Sequence, residues 1–87
     1  AINLNKKIYE IDPGSEIPFI NLGNYFYMAN KLEKAAYFWD IAIQKNPDLY
    51  RIYFNIGNCY KSLGKIELYN KYYSMGKKVQ NKLSVNK

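Results

Sequence analysis

The chain has no histidine, one cysteine and three prolines. Without histidine, the usual general base, the usual zinc ligand and the ordinary nucleophilic triads are missing. The lone Cys59 leaves no disulfide framework and no thiolate cluster for a metal. Acidic residues are also sparse, seven against thirteen Lys and Arg. They are scattered, with no paired spacing on one helix face. Carboxylate acid–base chemistry is therefore not expected. The sequence reads as non-enzymatic, with no cofactor, no metal and no small-molecule substrate. No apolar run approaches the roughly 18 residues of a membrane span, so a membrane is not an expected partner of this segment. The opening "AINLNKK" lacks the basic start and apolar block of a signal peptide. A targeting signal of a longer parent would lie outside this segment, and the compartment stays open, with the cytoplasm as the default expectation.

Apolar residues make up 48% of 87, enough for the core of one small domain. The net charge of +6 favours acidic partners such as acidic peptides, nucleic acid or anionic membrane. Asn, Lys, Ile and Tyr fill about half the chain, so part of the lysine content is compositional and belongs to solvated faces. The ten tyrosines, four phenylalanines and single tryptophan fall mostly at helical spacing and are expected in the core. Tyr27, Tyr37 and Tyr50 are the expected exceptions. Cys59 is expected to be a small buried residue. The basic tail, Lys77, Lys78, Lys82 and Lys87, reads as a solvated helix end.

The stretch "NLGNYFY" at 21–27 returns as "NIGNCYK" at 55–61, shifted by 34. At that shift Phe19 falls on Tyr53, Leu22 on Ile56, Gly23 on Gly57, Phe26 on Tyr60, Trp39 on Tyr73, Ala42 on Gly76 and Pro13 on Pro47. A fixed period of this size marks stacked supersecondary units. Phe19, Leu22, Gly23 and Phe26 follow i, i+3, i+4, i+7, one stripe of a helix. A second helix is predicted over about Leu32 to Lys45, with Ala35, Phe38, Trp39 and Ala42 inward, and its equivalent from about Ile66 to at least Val79. "DPGS" at 12–15 and "NPD" at 46–48 separate the units. Ser15 and Asp48 are candidate N-caps, and Pro18 suits a first turn. Asn30 and Gly64 mark turns that need a left-handed residue.

These positions resemble the tetratricopeptide repeat, whose pattern is W-x2-L-G-x2-Y, then A-x3-F, then P. Here it reads Phe19-x2-Leu22-Gly23-x2-Phe26, Ala35-x3-Trp39, Pro47. The second copy reads Tyr53-x2-Ile56-Gly57-x2-Tyr60, Tyr69-x3-Tyr73, Asn81. The resemblance implies an all-α fold, an α-solenoid of antiparallel helix pairs in a right-handed superhelical stack of about two and a half repeats. Residues 1–87 form one domain: 1–12 the second helix of a truncated repeat, 16–47 and 50–81 full repeats, 82–87 a tail. Two departures stand out. Tyr69 replaces Ala opposite Gly57 and should push the last helices apart or swing outward. Asn81 replaces the closing Pro, so the last helix should run on through Leu83. So short an array implies marginal stability or self-association through uncapped ends.

On a helical wheel, Ile17, Asn21, Asn24 and Met28 lie opposite the first core stripe, and Arg51, Asn55, Asn58 and Ser62 opposite the second. Tyr27 and Lys61 sit to one side. In the family, first helices line the concave surface and bind extended peptides there. The resemblance thus implies a peptide site of Asn24, Asn58, Asn21, Asn55, Arg51, Tyr27 and Lys61. Asparagine can both donate to and accept from a peptide backbone, and Arg51 can hold a carboxylate. Asn24 and Asn55 match the asparagines of the family's carboxylate clamp, but Ile20 stands where the clamp wants Lys. The leading expectation is an interaction module that holds an extended acidic peptide and scaffolds a complex. A second is a structural segment that stacks on copies of itself through its repeat ends. A third is nucleic-acid binding through the lysines.

Overall fold

The computed structural model describes residues 14–85. Four helices account for most of them: α1 Ile17–Met28, α2 Leu32–Lys45, α3 Tyr50–Ser62 and α4 Ile66–Val85. No strand occurs among the described residues. The protein is all-α, with each helix packed against the next in chain order. The predicted half-repeat at 1–12, together with Pro13 and Lys87, lies outside the described residues.

Each boundary has a local cause. Pro18 occupies the first turn of α1, where its missing N–H removes no helical bond. Glu16, not Ser15, holds the cap position, with no side-chain cap bond; Ser15 Oγ accepts from the Ile17 N–H at 3.1 Å in a turn just before the helix. At the far end Asn30 has φ 60°. The Lys31 N–H bonds to the Phe26 carbonyl at 2.8 Å and the Asn30 N–H to the Tyr27 carbonyl at 2.9 Å. That pair of bonds is a Schellman ending. The same geometry returns after α3, where Gly64 has φ 79°. There the Lys65 N–H meets the Tyr60 carbonyl at 2.8 Å and the Gly64 N–H the Lys61 carbonyl at 3.1 Å.

α2 stops at Lys45 because Pro47 forces the preceding Asn46 into an extended conformation, φ −140° and ψ 92°. Asn46 then bridges. Its Oδ1 accepts from the Asp48 N–H at 3.1 Å, and its Nδ2 donates to the Glu16 carboxylate at 3.1 Å. Asp48 is not the side-chain cap of α3. Leu49 holds the cap position with no side-chain bond, and Asp48 offers only its backbone carbonyl, to the Tyr50 N–H at 2.9 Å. The Asn46 turn takes the 48 N–H, so position 48 closes that turn rather than opening the helix.

The core is centred on α2 and α3. Ala35, Ala36, Trp39 and Ile43 of α2 bury against Ile52, Tyr53, Ile56 and Cys59 of α3. Phe26 and Ile20 of α1 and Tyr72, Met75 and Val79 of α4 pack on its edges. Phe38, expected inward, is half-buried and stacks on Phe26 at 5.4 Å. Tyr50 is half-buried rather than exposed. Tyr73, expected in the core, is 44% exposed. α4 carries Gly76 against Phe54 and Tyr53, and so lies close to α3.

Tyr69 does not push α3 and α4 apart. Its carbonyl and ring edge both lie 3.4 Å from where a Gly57 Cβ would stand. The ring turns along the helix pair, 5.7 Å from the Tyr73 ring, with Lys61 Nζ 5.2 Å above it. With no proline at 81, α4 continues past Leu83 to Val85. Its outer side is polar. Ala36 and Ile43 of α2 are buried, whereas Asn70 and Lys77, each 34 residues later, are exposed.

Candidate functional site

Between α1 and α3 lies a cleft of about 260 Å³ lined by Asn24, Tyr27, Trp39, Asn55 and Asn58. Its floor depends on Gly23. A methyl group there would fall inside the Trp39 indole, so glycine alone lets that ring lie on the backbone of α1. Trp39 is 2% exposed, and its Nε1 donates to the Ile20 carbonyl at 3.2 Å. This bond fixes the ring and uses its only polar group, leaving an apolar surface. The Tyr27 ring stands beside it at 5.7 Å, tilted by 37°.

The polar rim comes from three amides. Asn24 and Asn58 are exposed and Asn55 is half-buried. They reach the cleft because 24 sits one residue after the contact glycine of α1, while 55 and 58 are one turn apart on α3. Each amide keeps a donor and an acceptor for an incoming group. No charged side chain lines the cleft. An apolar floor with amides at its edges suits a polypeptide backbone carrying one apolar side chain.

Four of the seven residues predicted for the site converge here: Asn24, Tyr27, Asn55 and Asn58. The other three do not line the cleft. Asn21 is half-buried on α1 and already has an interaction of its own. Arg51 is exposed at the start of α3, its guanidinium 5.8 Å over the Tyr50 ring. Lys61 leans toward α4 over Tyr69. The sequence reading placed Trp39 in the core and missed it as a cleft residue. The signal was present, since a tryptophan opposite an in-helix glycine implies that the ring crosses the neighbouring backbone.

A second hollow, about 480 Å³, lies where the two turns meet and is lined by Asn30, Lys31, Leu32, Glu33, Lys34 and Leu63. Its charges are mixed and converge on no point. Among the described residues no group of three His, Cys, Asp or Glu could hold a metal ion, and no helix is long and apolar enough to cross a membrane. Cys59 is fully buried in the core, and desolvation pushes its thiol up to about 11. A thiol so placed is a packing group rather than a nucleophile. No family model matches the chain.

Proposed function

We propose that this chain is a tetratricopeptide-like interaction module that takes an extended acidic peptide in the cleft between α1 and α3. In this reading α1–α2 and α3–α4 are two helix-pair repeats of a right-handed α-solenoid, and the cleft belongs to its concave face. One observation carries the proposal: Asn24, Asn55 and Asn58 line one cleft beside the fixed Trp39 ring, two of them exposed and Asn55 half-buried. The 34-residue spacing of the two Schellman turns supports the repeat. The net charge of +6, with Arg51 and Lys61 at the two ends of α3, supports an acidic ligand. Stacking of copies through α4 draws less support, because the positions that bury Ala36 and Ile43 in α2 are Asn70 and Lys77 in α4.

The test is selection from a random peptide library by the wild-type chain and by an Asn24→Ala/Asn58→Ala variant of equal helicity. The proposal expects enrichment of acidic sequences around one apolar residue. Loss of two backbone-directed amides should weaken the selected peptides about thirtyfold, at about 1 kcal/mol each. Unchanged binding by the variant, or no enrichment by the wild type, would overturn it.

A further inference from the structure

A different cleft, about 250 Å³, is built by α2 and α4 with the end of α3. Its walls are Tyr37, Tyr60 and Tyr72, its carboxylates Glu33 and Asp40, and Lys65 stands at its edge. Glu33 and Asp40 are seven residues apart on α2, a pairing on one helix face that the sequence reading overlooked. In a chain of net charge +6, this is a place where two acids and three aromatic rings come together.

The Asp40 carboxylate is held rather than loose. The Tyr72 hydroxyl donates to its Oδ1 at 3.0 Å, and Gln44 Nε2 donates to Oδ2 at 2.9 Å. Each oxygen keeps a lone pair, so the group still accepts two hydrogen bonds. The Tyr60 and Tyr72 rings lie 5.7 Å apart, tilted by 31°. Tyr37 is 62% exposed, and its ring is set edge-on against Phe38 at 5.1 Å. Burial, and then the nearby Asp40, raise the Tyr72 and Tyr60 phenols above their ordinary value. Both therefore stay protonated at neutral pH.

We infer that this cleft receives one arginine side chain from a basic peptide partner, its guanidinium bonded to Asp40 and stacked on the Tyr37 ring. A guanidinium matches the site better than an ammonium. It is planar, it donates two parallel bonds to one carboxylate, and it stacks on aromatic faces. A quaternary ammonium would leave the Asp40 acceptors unused. Glu33 adds a second negative charge, and Lys65 at the edge offsets part of it, which leaves the two carboxylates one net negative charge to meet one guanidinium. This site is independent of the amide-lined cleft, which carries no charge of its own.

The probe is N-acetyl-arginine amide, titrated into the whole chain and followed by backbone amide NMR. N-acetyl-citrulline amide, uncharged and of the same shape, and N-acetyl-lysine amide run beside it. Saturable shifts confined to residues 33–40 and around 72 are expected, with a dissociation constant on the order of millimolar for so small a ligand. Asp40→Asn should weaken the arginine probe about tenfold. Tyr37→Leu should weaken it about threefold and, being largely exposed, should leave helicity intact. If Asp40→Asn fails to fold, Tyr37→Leu decides. No saturable response, an equal response to citrulline or to lysine, or wild-type affinity in the folded variants would overturn the assignment.

Discussion

A methyl group added at Gly23 collides with the Trp39 indole, while one added at Gly57 meets only ordinary contacts at 3.4 Å. The two glycines hold the same place in the 34-residue period and answer to different neighbours. Gly23 faces a tryptophan laid across it, and Gly57 faces a tyrosine whose ring edge stands at contact distance, 3.4 Å from the added methyl. Gly23→Ala should therefore cost about 1–3 kcal/mol through overpacking. It should also shift the emission of the only tryptophan as that ring is displaced. Gly57→Ala should be neutral, or stabilise by up to about 1 kcal/mol through helix propensity. Urea unfolding of both variants, read by far-ultraviolet circular dichroism, checks the pair. Equal effects would mean that Trp39 does not depend on Gly23.

At the scale of elements, the turns hold the two helix pairs in register. Gly64 has φ 79°, and nothing lies within 4 Å of a methyl placed there. Gly64→Ala thus isolates backbone strain from packing and should cost about 1–2 kcal/mol. A thermal melt compared with Gly57→Ala reads this directly, since the same chemical change is expected to act with opposite sign at the two sites. α4 shows how one missing residue changes an element. Asn81 stands where Pro47 ends α2, and the helix runs 20 residues against 14. The extension beyond residue 79 carries Lys82 outward, and with the exposed Lys77 and Lys78 of the preceding turn it gives the helix a solvated face.

The described residues form a slab, 35 × 33 × 15 Å, with little depth in which to bury side chains. Its central residues therefore carry much of the stability, and burial raises the pKa of the titrating groups there, Cys59 and Tyr53 within the core and Tyr60 and Tyr72 at its edge. Burial raises Cys59 from 9.0 to about 11 and raises Tyr72 above its ordinary 10.0. A group whose pKa is higher folded than unfolded contributes fully below the unfolded value and loses that contribution as pH rises through the folded one. Stability should accordingly fall between pH 9 and 11, by at most about 3 kcal/mol from Cys59. Cys59→Ala should lower the plateau yet flatten that part of the curve. Urea unfolding in steps from pH 7 to 11 tests this, and an unchanged slope in the variant would assign the loss to other groups.

What the sequence alone determined is local. Apolar spacing, Pro47, Asn30 and Gly64 act within a turn or two of their own positions, so helix bounds such as Leu32–Lys45 were legible to the residue. The amides of Asn24, Asn55 and Asn58 were legible as outward positions for the same reason. Tertiary structure decided which outward residues share a cleft. That depended on Trp39 crossing Gly23, which a wheel drawn for one helix cannot contain. It left Arg51 over Tyr50 and Lys61 over Tyr69, because a long cationic side chain settles on the nearest ring rather than at its wheel angle. It also joined Glu33 and Asp40 to Tyr60 and Tyr72, which lie on other helices and meet them only through packing.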